Sequence, residues 1–98
     1  MRLLPREIAA IRKAVREVFG PTASVRIFGF RVRDDLKGGD IDLFVEVESG
    51  QASVASEQQV RDLVAPTVED LRIDIILHER GATLTPLERI ALGDGLLL

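Results

Sequence analysis

Ninety-eight residues, with thirteen Lys/Arg against sixteen Asp/Glu, carry a formal charge of −3, and 46% of them are apolar. That is material for a single domain, spanning residues 1–98, with one small core. The lack of cysteine excludes a disulfide framework, a thiolate metal site and a cysteine nucleophile, and one histidine argues against a His-rich zinc site or a Ser-His-Asp triad. No apolar run approaches the ~20 residues of a membrane span. The opening Met-Arg-Leu-Leu-Pro does not read as a secretory signal, so the expected address is the cytoplasm. Residues 1–49 carry a net charge of +1 and residues 50–98 a net −4. Neither half has a basic stripe with interleaved aromatics, which argues against long nucleic acid as a ligand but leaves room for a small anion.

In chain order, Ile8, Ile11, Val15 and Val18 recur at the spacing of one helix face, with Pro5 in the first turn and Gly20-Pro21 as the stop. A short strand, Ser24 to Phe28, follows and is expected to end at Gly29, where a polar loop begins and runs through Gly38-Gly39. The next strand alternates clearly: Ile41, Leu43, Val45 and Val47 face one way, and Asp40, Asp42, Phe44, Glu46 and Glu48 the other. Ser49-Gly50 ends it. A second helix is predicted over about 54–65, with Val60, Leu63 and Val64 as its inner stripe, Pro66 as its stop and Ser56-x-x-Gln59 as an internal cap.

A third strand runs from Leu71 to Leu77, with Leu71, Ile73, Ile75 and Leu77 inward and Arg72, Asp74, Ile76 and His78 on the opposite face. Thr85, Pro86 and Glu88 then form a capping box for a third helix, which Gly93 is expected to end. Leu96 to Leu98 read either as an edge strand or as a contact for a partner, and His78 as a surface residue at a strand end. The order α-β-β-α-β-α, without repeat or linker, predicts an α+β two-layer domain with helices covering one face of the sheet.

Asp40 and Asp42 lie two apart on a strand, so they share a face with Cα atoms about 6.6 Å apart. Acids on a solvated sheet face need no further explanation, but two carboxylates so placed can also converge on a hard cation such as Mg²⁺. Asp74 tips the balance toward a site, because an acid set among Leu71, Ile73, Ile75, Ile76 and Leu77 is costly to bury unless paired or metal-bound. Ahead of them, Phe28-Gly29-Phe30, then Arg31, Arg33 and Lys37, pair a glycine whose backbone can approach a phosphate with side chains that can grip one.

The run Ile27-Phe28-Gly29-Phe30, nine residues, then Asp40-Ile41-Asp42-Leu43, resembles the signature of the polymerase-β-type nucleotidyltransferase superfamily. With Asp74 in Arg72-Ile73-Asp74-Ile75-Ile76 and the Thr85-Pro86…Ile90-Ala91…Gly93 ending, residues 25–98 resemble its minimal members, which include the antitoxins of HEPN-type toxin–antitoxin pairs. The resemblance implies a nucleotidyltransferase fold with a small mixed sheet. It also implies Asp40, Asp42 and Asp74 as catalytic Mg²⁺ ligands and Gly29, Phe30, Arg31 and Arg33 as the nucleotide-binding set. The implied reaction moves AMP (or another NMP) from ATP or another NTP to a hydroxyl of a partner protein, a tyrosine of a helical HEPN-type ribonuclease in the antitoxin relatives. Homo- or hetero-oligomers are compatible with it. The sequence departs from the pattern where Phe30 replaces the usual Ser, Gly39 a frequent Ser and Asp34 a frequent Gly. Those departures leave a second expectation, a nucleotidyltransferase-like module that acts on its partner by binding alone. Nucleotidylation of an antibiotic or small metabolite is a third reading, one that usually calls for an added substrate-binding domain.

Overall fold

A computed structural model describes residues 4–32, 39–68 and 71–98, apart from the side chains at 29–32, 39, 40 and 71. The elements are α1 (Pro5–Phe19), β1 (Ser24–Val32), β2 (Gly39–Val47), α2 (Val54–Val64), β3 (Leu71–Glu79), α3 (Pro86–Asp94) and β4 (Leu96–Leu97). They form one mixed sheet ordered β3-β2-β1-β4, with β2 and β3 parallel and the other neighbours antiparallel. The parallel pair requires a crossover, and α2 supplies it. Among the described residues no helix is long and apolar enough to cross a membrane.

Alternation in the strands decides where the core lies. Ile41, Leu43, Val45 and Val47 of β2, Ile73 and Ile75 of β3, and Val25 and Ile27 of β1 are buried together. They meet Ile11, Ala14, Val15 and Phe19 of α1 and Val60 and Val64 of α2. Leu63, expected in the inner stripe of α2, is instead 45% exposed. It flanks an open groove of about 490 Å³ between α1 and α2, lined also by Glu17, Val18, Gln59 and Asp62. The cap of α2 also differs from expectation. Ser53 accepts from the Ser56 N–H at 3.0 Å, so the helix is capped at its start rather than internally.

The helices do not all share a face. Phe44 has the parity opposite to the core residues of β2, yet it is fully buried, as is Ala91 of α3. Both stand apart from the core that α1 and α2 cover, and α3 rests on β1 and β2. So α1 and α2 cover one face, and the short α3 covers part of the other. Phe44 stacks on His78, their ring centroids 5.8 Å apart. His78 is therefore buried rather than at the surface, and its Nε2 lies 3.0 Å from the Ala82 carbonyl oxygen.

Further boundaries moved, β3 running past Leu77 to Glu79. β1 continues past Gly29 to Val32, its pairing with β2 interrupted by an irregularity between Phe28 and Arg31. α3 continues past Gly93 to Asp94, and Gly95 turns the chain into β4 along the edge of β1. Leu96 and Leu97 thus form an edge strand, both side chains exposed. The far end of the sheet is tied by side chains: Gln51 Nε2 donates to the Phe19 carbonyl at 2.9 Å, and Arg80 bridges Glu48 at 2.6 Å and the Thr22 carbonyl.

Gly93 and Gly95 illustrate opposite uses of glycine. A Cβ at Gly93 would meet nothing within 4 Å, whereas one at Gly95 would overlap the Ala91 carbonyl oxygen and press to 3.1 Å on Arg26 Cβ. Gly93→Ala is expected to stabilise the fold by about 0.5–1 kcal/mol through helix propensity. Gly95→Ala should destabilise it by about 1–3 kcal/mol through overpacking. Urea unfolding of both variants, read as midpoint shifts, checks the pair.

Candidate active site

The parallel register of β2 and β3 sets Asp42 directly beside Asp74 and Asp40 beside Arg72. Neighbouring strands lie about 4.8 Å apart, so two carboxylates distant in sequence become lateral neighbours. Ile41, Leu43, Ile73 and Ile75 face the core, so Asp42 and Asp74 both leave the sheet on the opposite side. Asp42 is half-buried and Asp74 exposed. On the other flank, the register of β1 puts Phe28 level with Asp42.

The same pairing orders the whole face into rows. Phe28, Asp42 and Asp74 make one; Arg26, Phe44 and Ile76 the next, with Leu97 beyond Arg26; Ser24, Glu46 and His78 a third. In backbone position, Asp40 stands between Arg31 and Arg72. α3 covers the middle row, while Asp74 remains open to solvent.

Of the residues expected from the sequence, Asp42 and Asp74 are therefore brought together by neighbouring strands. Gly29, Phe30 and Arg31 lie within β1 rather than in a loop, and Asp40 lies within β2; the side chains of Phe30, Arg31 and Asp40 are outside the described residues, as is Arg33 altogether. The sequence reading passed over Arg26. Its signal was an arginine alternating with Val25 and Ile27 and sharing the parity of Phe28, which puts a charge on the face of the acids.

The donor chemistry suits a hard divalent cation. Two carboxylates side by side on a sheet repel, and oxygen ligands of this kind are those that Mg²⁺ takes. Among the described residues, no group of three or more His, Cys, Asp or Glu converges as a metal site. Asp42 and Asp74 are the pair that is placed, with Asp40 two residues along β2.

Comparison with known families gives one result of wide coverage: the model of the nucleotidyltransferase domain matches residues 8–95. That stretch takes in the acid row, the crossover helix and α3. Neither curated proteins nor solved structures give a match.

Asp74 is exposed, so Asp74→Asn should leave stability without metal within about 0.5 kcal/mol of the parent. If the acid pair holds a cation, millimolar Mg²⁺ raises the melting temperature of the parent by ligand linkage and does not raise that of Asp74→Asn. Thermal melts with and without Mg²⁺ measure both.

Proposed function

The chain belongs to the nucleotidyltransferase domain family, and from that premise we propose that it transfers a nucleoside monophosphate, AMP in the first instance, from a triphosphate to a hydroxyl of a partner protein. The observation that carries this reading is the register that sets Asp42 beside Asp74 on one sheet face. Asp40, Asp42 and Asp74 hold Mg²⁺, which when bound supplies charge neutralisation at the phosphate oxygens. Gly29 presents main-chain N–H to the phosphates, and Arg31 and Arg33 donate to phosphate oxygens.

The chemistry is an in-line displacement at the α-phosphorus. The acceptor oxygen forms a bond to it, the bond from the α-phosphorus to the bridging oxygen breaks, and pyrophosphate leaves. The Asp74 carboxylate, open to solvent and thus to a second protein, takes the proton of the acceptor hydroxyl. Asp42, half-buried beside it, holds its place because its strand neighbours Ile41 and Leu43 are locked in the core.

The chain contains no tyrosine, so a tyrosine acceptor belongs to another protein, in this reading a helical HEPN-type ribonuclease toxin for which the chain serves as antitoxin in the cytoplasm. A second reading rests on the sequence departure at Phe30, where the resembled family usually has a Ser whose hydroxyl contacts phosphate: a module that neutralises its partner by contact alone. Calorimetry with Mg·ATP separates the two, since such a module takes up no nucleotide.

Incubation with ATP labelled at the α-phosphate, Mg²⁺ and a helical protein encoded next to this chain is expected to label that protein. Asp42→Asn should lower the rate by at least about a hundredfold, the scale lost when a charged catalytic group is removed. Absence of label, or a rate unchanged in Asp42→Asn, overturns the reading.

A further inference from the structure

We infer that Arg26 is an anion-binding arm of the acid face that grips the phosphate chain of the nucleotide, an inference that rests on the transferase reading above. Val25 and Ile27, its neighbours on β1, are both buried in the core that α1 and α2 cover. Arg26 therefore leaves the sheet on the other side, with Asp42 and Asp74. It lies two residues along β1 from Phe28, which is level with Asp42. The two rows are thus about 6.6–6.8 Å apart along the strand, within the span of an arginine side chain.

Its surroundings leave the charge unanswered. Arg26 is half-buried, and its Nε is fully buried without a hydrogen-bond partner. None of the ion pairs among the described residues involves it. Buried donors are nearly always satisfied, and an orphan calls for a ligand or a function. A guanidinium offers five donors in a rigid fork that fits phosphate oxygens bidentately.

The stem is already ordered. Gly95 packs against its Cβ, and Leu97 and Phe44 flank it in register on the neighbouring strands. An anion that engages the head group therefore does so with little further loss of side-chain freedom. The acids alone would repel a triphosphate; a cation among them and an arginine one row away together make the face attractive to it.

A purely structural role also exists, since α3 has no basic residue in its last turn and Arg26 lies at that end. The two roles part on dependence on phosphate. Calorimetry would compare adenosine, Mg·ATP and inorganic tripolyphosphate with Mg²⁺ on the parent chain, Arg26→Met and Arg26→Lys. The inference expects Arg26→Met to weaken ATP and tripolyphosphate by about tenfold or more, the loss of one charge-assisted hydrogen bond. It expects adenosine to be unaffected and Arg26→Lys to fall between. Equal weakening of adenosine, or none for tripolyphosphate, overturns it.

Should Arg26→Met fail to fold, Arg26→Lys decides: a loss of several-fold for tripolyphosphate supports the fork, and affinity equal to the parent refutes it. A parent that binds tripolyphosphate through Arg26 but transfers no label keeps this inference and sinks the transferase reading. A parent that transfers label with Arg26→Met unimpaired in binding sinks this inference alone. A parent that binds neither tripolyphosphate nor Mg·ATP sinks both.

Discussion

Everything on the acid face follows from the register between β2 and β3. Because side chains alternate with a period of two, a slip of one residue would turn every side chain of β3 to the opposite face. Such a slip would drive Asp74 into the core and expel Ile73 and Ile75. Burial of those two isoleucines, beside Ile41 and Leu43, is what excludes it. The hydrophobic effect on one side of the sheet thereby determines the placement of charge on the other, and no hydrogen bond between the acids is needed to hold them side by side.

The two faces are stabilised by different means. α1 and α2 bury a continuous apolar layer, whereas on the other face α3 buries Ala91 over β1 and β2, and Phe44 stacks on His78. The tight approach of α3 at Gly95, with Arg26 beneath, keeps it over the middle row. At the other end of the sheet Gln51 and Arg80 bind loops to helix and strand. The described ties thus lie over the middle row and at the far end of the sheet, while the acid row keeps an open side at Asp74.

The elements of strict periodicity were the legible ones. The alternation of β2 and β3 gave both their inward residues and the face of Asp42 and Asp74, and the Thr85-Pro86-Glu88 cap marked the start of α3 to the residue. Family membership agrees with the resemblance drawn from the glycine and the Asp-x-Asp pair. What was not legible depended on partners distant in sequence. Gly29 reads locally as a strand end, yet β2 pairs with β1 beyond it. Leu63 has the spacing of a core residue but lines an open groove between α1 and α2 and stays exposed. His78 looks like a polar strand end until Phe44 and the Ala82 carbonyl enclose it. The division of helices between faces belongs to the same class, since helix periodicity says which side of a helix is buried and nothing about which side of the sheet receives it.

The crossover between β2 and β3 bears on how this face comes into being. Parallel pairing must close a loop before non-local contacts reward it, which makes it intrinsically slow. A nascent chain that has emerged only through α2 has Asp42 but no β3 to stand beside it. The acid row is accordingly incomplete until the last long strand docks: Arg26, Phe28 and Asp42 already stand on the paired β1 and β2, and Asp74 is the member that only β3 can bring.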